Sequence, residues 1–370
     1  MSLNLEIRRL ESDLAAEIYI SAVPDAKSPL PEQAQQLFSA VSDALRSEKA
    51  HILQERIFAS QKAMETIRDV RSKTYHGIDD GVAPALLVCS EGTSGPIAAV
   101  QLHAVVADVS PEPIESQGRL CGRLLRLPGH VYLALSQISA PIFDNPAEQA
   151  GAMLEKAGSV LELFHSDFFA VPRTWMWLGD ILSWYDSFNS VRNKFFAECG
   201  IIGKTSRQSL PASTGIGLRP ADSAKCAMDL VAVLDPWDSI KHLPAVGKQQ
   251  CALDYGSAFS RASQAVTPAG VTVFVSGTAS IDVTGATTHI GDPLGQINTT
   301  IENVRAVLKD MHCRDEDVVQ VVAYCKTIEV ETIFNSLKHT LPWPWITVIC
   351  DICRPDLLFE IEAAALLATA

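Results

Sequence analysis

The sequence predicts an α+β protein made of three tandem βαβαββ domains. The first observation is a repeat, because an apolar strand, a turn-rich gap and a helix with an early glutamine occur three times in the same order. The glutamines are Gln33, Gln149 and Gln296. The second observation is a proline near each predicted helix start, where a missing N–H interrupts no hydrogen bond. These prolines are Pro31, Pro146 and Pro293.

Each repeat opens with a strongly apolar segment, which indicates a buried strand. These strands are predicted at 17–22, 131–136 and 271–276. The following helices show a spacing near 3.6, as in Ile297, Ile301, Val304 and Leu308. A second strand is predicted at 56–59, 173–178 and 319–326, and a second helix at 61–71, 184–198 and 330–339. Each repeat closes with two strands after Pro84, Pro211 or Pro344, so we expect mixed sheets with helices on one face.

The repeats divide the chain into a divergent first domain at 1–109, a second domain at 121–236 and a third at 250–370. Proline-containing segments at 110–116 and 236–248 are predicted to link them. The first domain is similar to the others only in outline. We therefore expect it to complete the shape of the molecule without carrying a site.

Composition excludes several classes of function. The 370 residues are 47% hydrophobic and 20% charged, with a net charge of −13 and no Lys/Arg cluster, so a nucleic-acid partner is disfavoured. No signal peptide or bilayer-spanning run is visible, and nine scattered cysteines have no disulfide-framework spacing. We expect a cytoplasmic protein with no membrane partner. Histidine and cysteine spacings predict no metal site, and no motif implies a cofactor.

Two glutamates lie in an apolar stretch near the end of the sequence. Glu360 and Glu362 would share one face of a strand, because side chains repeat every second residue. Burial would raise the pKa of at least one of them towards that of a working acid. The alternative is an outward-facing row on an amphipathic strand.

The third repeat resembles the YjgF/Rid family, whose chorismate mutase-like single domains form trimers with sites in the clefts between subunits. The residues that carry the resemblance are 274–278, 291–292, Gln296, 303–304, Leu308, 317–319 and 360–363. Three such units in one chain imply an intrachain pseudo-trimer. The arginine with which Rid imine deaminases hold a carboxylate is absent after Pro84, Pro211 and Pro344. Hydrolysis of simple 2-imino acids is therefore disfavoured.

A second resemblance is to the chorismatases, which carry Rid-like domains and remove the enolpyruvyl group of chorismate as pyruvate. It rests on five runs in the same order, at 173–175, 211–217, 253–262, 276–281 and 353–360. The implied substrate is a small dianion. Acid cleavage of its vinyl ether requires protonation of the terminal methylene carbon, for which a carboxyl that stays protonated near neutral pH is suited.

The resemblance implies roles for particular residues. Glu360 would be the general acid, and Glu362 a charge neighbour or a structural residue; which of the two titrates first is open. Arg173 and Arg261 would bind the carboxylates. The other residues implied to hold or orient the substrate are Asp254, Tyr255 and Tyr185. We expect Glu360, Cys353, Arg173 and Asp254 to line one cleft between the second and third domains.

The product depends on two small residues. The resemblance associates a cysteine at the Cys353 position with enzymes that form 3-hydroxybenzoate. It associates an alanine at the Ala258 position with enzymes that form a dihydroxycyclohexadiene carboxylate, and we favour the hydroxybenzoate. The alternative function is a catalytically silent Rid-like protein that binds a small metabolite or a protein. A covalent pseudo-trimer favours a monomer, with oligomers possible.

Overall fold

A computed structural model describes residues 3–202 and 209–367, and it contains three six-stranded sheets. Two helices cover one face of each sheet, so the predicted α+β class is confirmed. Among the described helices, none is both long and apolar enough to cross a bilayer.

The first domain forms the first sheet. Its strands are β1 (Asn4–Glu11), β2 (Ala16–Val23), β3 (His51–Ala59), β4 (Ala85–Val88) and β5 (Ile97–Val106). Its helices are α1 (Leu30–Glu48) and α2 (Met64–Thr74). The sheet has the order β1-β2-β5-β3-β4 and gains a sixth strand, β11 (Arg219–Pro220), from the second domain.

The second domain repeats this arrangement. Its strands are β6 (Glu112–Ser116), β7 (Arg119–Leu127), β8 (His130–Ile138), β9 (Arg173–Leu178), β10 (Ala212–Ile216) and β12 (Cys226–Asp235). Its helices are α3 (Pro146–Glu162) and α4 (Tyr185–Glu198). The order is β10-β9-β12-β8-β7-β6, with β9 and β10 parallel and their other neighbours antiparallel.

The third domain has the same order of elements. Its strands are β13 (Lys241–Leu243), β14 (Ala262–Thr267), β15 (Gly270–Ala279), β16 (Val318–Cys325), β17 (Trp345–Ile349) and β18 (Phe359–Leu367). Its helices are α5 (Pro293–Asp310) and α6 (Ile328–Leu337). The sheet order is β13-β14-β15-β18-β16-β17.

The segments predicted as linkers carry strands. β6 lies within 110–116 and β13 within 236–248, each at the edge of a sheet. The domain boundaries themselves stay predictions. The prolines near the helix starts do lie in the first turn of α1, α3 and α5, and Asn145 and Asp292 cap the last two through their side chains.

Four apolar clusters hold the molecule together. Three of them lie between one sheet and its own helices, whereas the fourth combines residues of all three sheets, such as Leu87, Trp177 and Val348. Strands covered on both faces must be apolar on both faces, which explains the nearly continuous hydrophobic runs. The end of each short edge strand also pairs with the next domain: Val88 with Arg219, Gly217 with Asp351, and Ile349 with Ser90.

Candidate active site

A cavity lies between the second and third domains. The second domain contributes Tyr185 and Arg192 from α4, and Ser213 and Gly215 from β10. The third domain contributes residues of β15, the beginning of β18 and the segments before β14 and β18. These residues are Tyr255, Ser257, Phe259, Arg261, Gly277, Ala279, Ile281, Cys353, Arg354, Leu357 and Glu360.

An irregularity in the third sheet positions Glu360. The register between β15 and β18 shifts between Val275 and Thr278, and Gly277 lies in this shift. A Cβ atom on Gly277 would lie 2.2 Å from the Glu360 Oε1 atom. The carboxyl group of Glu360 therefore packs against a backbone position where only glycine leaves room. Such irregularities are common beside active sites because they redirect a side chain.

The Glu360 carboxyl is an acid that keeps its proton at neutral pH. The side chain is 4% exposed, and no described residue forms a hydrogen bond with it. Burial, followed by the charge of Glu362, raises its pKa to about 8, although Arg173, Arg354 and Arg261 act in the opposite direction. A neutral carboxyl facing a cavity is suited to protonate a bound molecule.

Glu362 lies in a different environment. It is 5% exposed, so the alternative of an outward-facing row of glutamates is wrong. Its Oε2 atom accepts a hydrogen bond from Arg173 Nη2 at 2.8 Å, and its Oε1 atom accepts one from Trp175 Nε1 at 3.0 Å. These contacts lie beside a second, smaller cavity, which Glu362, Arg173 and Trp175 help to line.

Three arginines face the first cavity without a carboxylate partner. Arg192 donates to Asn189 Oδ1 at 2.7 Å, Arg354 donates to the Gly285 carbonyl at 2.6 Å, and Arg261 donates to the Tyr255 hydroxyl. Within the described ranges 3–202 and 209–367, no carboxylate lies within ion-pair distance of any of the three. Since Glu360 is neutral, the cavity has a positive charge that no described side chain balances.

Cys353 and the two tyrosines complete the wall. Cys353 lies in the loop between β17 and β18, because β17 ends at Ile349. Burial, followed by the charge of Glu360, raises the pKa of its thiol to about 12, so it is protonated. Burial also raises the pKa of Tyr185 and of Tyr255, and both phenols stay neutral.

The cavity opens towards solvent through a wider polar recess. The recess shares Tyr185, Tyr255, Ser257, Cys353 and Arg354 with the inner cavity. Its outer part is formed by the beginning of α4. A ligand would therefore enter past the two tyrosines to reach Glu360.

Five of the residues predicted from the sequence line this cavity: Glu360, Cys353, Arg261, Tyr255 and Tyr185. Four do not line it. Arg173 and Glu362 line the second cavity, Asp254 is exposed in a short 3₁₀ helix, and Ala258 is buried in the core of the second domain. The expected cluster of four is therefore only half assembled, since Glu360 and Cys353 share the cavity whereas Arg173 and Asp254 lie outside it.

Sequence reasoning missed Arg192 and Gly277. Arg192 lies on the buried face of α4, four residues from Phe188 and four from Phe196, and its guanidinium lies 5.1 Å from the Phe188 ring. An arginine within the apolar stripe of an amphipathic helix was a detectable signal. Gly277 lies within the runs 274–278 and 276–281 that carry the resemblances, but its role was not predicted because it depends on the register between β15 and β18.

Comparisons with known proteins agree with this architecture. Residues 256–367 match the family model "Endoribonuclease L-PSP". The crystal structure of a chorismatase matches with a TM-score of 0.63 and 16% identity, covering 99% of both chains. RidA from the Antarctic bacterium Psychrobacter sp. matches 34% of this chain and 100% of its own, with a TM-score of 0.28 and 19% identity. Yeast Mmf1 matches 34% and 98%, with a TM-score of 0.29 and 17% identity.

A search of curated protein sequences found no match. At 16% identity over 99% of both chains, the chorismatase match concerns the fold. The chain has the fold of a chorismatase, and its third domain matches the L-PSP family model over most of its length. The resemblance predicted from the sequence is confirmed at this level.

Proposed function

We propose that this protein is a chorismatase-type enzyme that removes the enolpyruvyl group of chorismate as pyruvate. One observation carries the proposal: a buried carboxyl that is neutral at pH 7 faces a cavity with three arginines that have no carboxylate partner among the described residues. The shared fold of a chorismatase supports the same assignment.

The charge of the cavity suits a dianion. Arg192, Arg261 and Arg354 come from three separate segments, so they approach a ligand from different directions. Chorismate carries two carboxylates, and a guanidinium binds a carboxylate through charge-assisted hydrogen bonds. Such a ligand would also supply the carboxylate partners that these arginines lack among the described residues.

The reaction begins with transfer of the Glu360 proton to the terminal methylene carbon of the vinyl ether. The ether oxygen then stabilises the cation as an oxocarbenium ion, and the Glu360 carboxylate left behind stabilises it further. The ring hydroxyl then attacks the adjacent ring carbon that carries the ether, and the bond between that carbon and the ether oxygen breaks, which releases pyruvate. The resulting arene oxide opens and loses the ring proton from that carbon, and its oxygen takes up a proton, so that 3-hydroxybenzoate forms with no net consumption of water. The carboxylate recovers its proton from the nucleophile, so the acid is regenerated.

We propose 3-hydroxybenzoate as the aromatic product. Cys353, which the resemblance associates with 3-hydroxybenzoate, lies in the cavity wall. Ala258, which it associates with the other product, is buried outside the cavity, so Cys353 has the more direct access to the ligand. Tyr185 and Tyr255 are neutral phenols at the cavity mouth and are proposed to orient the ring hydroxyl. Recovery of the dihydroxycyclohexadiene carboxylate as the main product would contradict this branch.

The test is incubation of the purified protein with chorismate, with measurement of pyruvate and chromatography of the aromatic products. Glu360→Gln is expected to lower the rate by about 10²- to 10⁴-fold, the usual contribution of a general acid. Glu148→Gln, on the exposed face of α3, is the matched control and should retain activity. Absence of pyruvate above the spontaneous rate would reject the enzyme assignment in favour of a silent binding protein.

A further inference from the structure

We propose that Glu362 is a positioning residue for the acid: its negative charge, held by Arg173 and Trp175 of the second domain, keeps Glu360 of the third domain protonated. This inference rests on the proposed function, because it assigns a part in the same reaction. It also replaces the role expected for Arg173, which contacts Glu362 where a substrate carboxylate was predicted.

The contacts of Glu362 suit a carboxylate. Both of its oxygens accept a hydrogen bond, one from the Arg173 guanidinium and one from the Trp175 indole N–H. Both donors belong to β9, and Arg173 is itself 2% exposed and donates to Thr214 Oγ1 at 2.6 Å. A buried carboxyl with two donors and a guanidinium partner is stabilised in its ionised form.

The negative charge lies close to the acid. Glu360 and Glu362 are two residues apart on β18 and share its inner face, so their side chains stand about 7 Å apart. At that separation, in a buried site, a like charge raises the pKa of a carboxyl by roughly one unit or more. Arg173 is also near and acts in the opposite direction, but the effect of Glu362 on the pKa of Glu360 is the larger of the two.

Other titratable or charged groups face Glu360 from the surrounding elements. They are Tyr185 and Arg192 on α4, Tyr255 and Arg261 before β14, Tyr324 on β16, and Cys350, Cys353 and Arg354 before β18. None of these described groups forms a hydrogen bond or ion pair with Glu362. The difference between the wild type and a Glu362 variant therefore isolates the contribution of that charge.

The consequence is control across a domain boundary. The acid and its like-charged neighbour belong to the third domain, whereas the donors that hold the neighbour belong to the second. Glu360 thus has its full acid character only when the second and third domains are docked. The second domain contributes to the chemistry through Arg173 and Trp175 without those residues contacting the substrate.

The experiment measures the Glu360 titration directly. The protein is labelled with ¹³C at the glutamate carboxyl groups, the Glu360 signal is assigned by its loss in Glu360→Gln, and the titration is followed by NMR. In Glu362→Gln we expect the midpoint to fall by about one pH unit or more. The alkaline limb of the pH–rate profile should move to lower pH by the same amount, because the protonated fraction of Glu360 drops tenfold per pH unit above its pKa.

Three further variants separate charge from structure. Glu362→Asp keeps the negative charge, so the midpoint of the Glu360 titration should stay close to the wild-type value. Glu362→Gln combined with Arg173→Met removes both charges, so the midpoint should fall less, and this variant avoids an unpaired buried guanidinium if the single variant does not fold. Glu331→Gln changes a buried glutamate in another cleft and should leave the Glu360 titration unchanged.

An unchanged Glu360 midpoint, with an equal loss of activity at every pH, would overturn the proposal and make Glu362 a structural residue. If the wild type releases no pyruvate, the proposed function fails. The NMR titration would still decide whether Glu362 keeps Glu360 protonated.

Discussion

The cleft between the second and third domains and the cleft between the first and second are built from equivalent elements, but they differ at the position of the acid. Among the described residues, the former has Glu360 beside a cavity, and the latter has an alanine at the equivalent position. The register shift that interrupts β15 and β18 has a counterpart between β8 and β12. When residues are counted from the two register shifts, Asp229 on β12 is equivalent to Glu362 on β18, and Ala227 on β12 is equivalent to Glu360 on β18. Like Glu362, Asp229 pairs with an arginine of the preceding domain, since its Oδ2 atom lies 3.3 Å from Arg56 Nε.

The difference lies in two side chains. Gln137 stands where the third domain has Gly277, and its amide donates to the Leu86 carbonyl of the first domain at 3.3 Å. The cleft between the first and second domains, called the closed cleft below, therefore has the large Gln137 together with the small Ala227. The cleft between the second and third domains, called the open cleft, has the small Gly277 together with the large Glu360. The buried ion pair is common to both clefts and holds the domains together. At these two positions, the small and the large residue are exchanged between the clefts. We conclude that this exchange distinguishes the structural interface from the candidate active site.

The third cleft, between the third and first domains, is also closed. Glu331 of α6 accepts hydrogen bonds from the Thr93 backbone N–H and from the Thr347 hydroxyl, each at 2.7 Å. Ala99 lies at the position of Glu360, and Gln101 at that of Glu362. Repetition of the fold alone therefore does not produce a site.

The largest effect is expected from an attempt to place the acid in the closed cleft. Ala227→Glu would bury a carboxyl in the central core, at a position that is fully buried. We expect a loss of roughly 3–5 kcal/mol in the free energy of unfolding, because no partner compensates the new group. Chemical denaturation measures it. Ala147→Glu, in the first turn of α3, is the control and should be nearly neutral; equal stability of the two variants would mean that the cleft is not closed.

The next prediction concerns the pH dependence of stability in the open cleft. The pKa of Glu360 is about 8 in the folded protein and near 4.5 when unfolded, so between these values the folded state holds one more proton. The stabilising contribution is complete below pH 4.5 and is lost as the pH rises to 8. Glu360→Gln lacks this dependence, so its advantage over the wild type should grow to a few kcal/mol by pH 8.

Thermal denaturation of both proteins between pH 4.5 and 9 provides the measurement. The two curves should diverge with rising pH and then run parallel. Parallel curves over the whole range would mean that Glu360 has an ordinary pKa in the folded protein.

Closing the open cleft should lower activity without unfolding the protein. In Gly277→Ala the new methyl group would meet the end of the Glu360 side chain, which is able to move, so the fold survives and the carboxyl is displaced. We expect a loss of about a hundredfold in kcat/KM for chorismate, typical of a misplaced catalytic group. Gly151→Ala, in α3 with its nearest contact at 3.7 Å, should keep full activity.

The smallest effect is expected from removal of one cation. Arg261→Met should raise the KM for chorismate by about 10- to 100-fold, since one charge-assisted hydrogen bond contributes about 1.5–3 kcal/mol. Arg219→Met is the matched control, because Arg219 lies in the closed cleft and donates to Gln61. Steady-state kinetics of the two variants compares the clefts directly, and an equal KM in both would exclude a carboxylate-binding role for Arg261.

Much of the fold could be predicted from the sequence, because the features that define each strand and helix depend on neighbouring residues. The apolar strands, the prolines in the first turn of three helices and the alternation of Glu360 and Glu362 each depend on residues within one element. The site was readable in part. Glu360, Cys353, Arg261, Tyr255 and Tyr185 were predicted from the residues and the resemblance, and all five line the cavity.

The remaining predictions depended on contacts between elements that are distant in sequence. A strand pattern indicates that Arg173 is buried, but it does not indicate that Glu362, 189 residues away, occupies its guanidinium. The same limit applies to Asp254, which lies exposed in a short 3₁₀ helix.

By itself, then, the sequence determined the three repeats and the alternation that places Glu360 and Glu362 on one face of a strand, because periodicity is a local property. Only the tertiary structure decided which of three equivalent clefts is open and which arginines face it. The reason is physical: a cavity exists where a side chain of one domain fails to fill the space left by another. Here that depends on Gly277 and Gln137, two residues whose importance appears only when the three sheets meet.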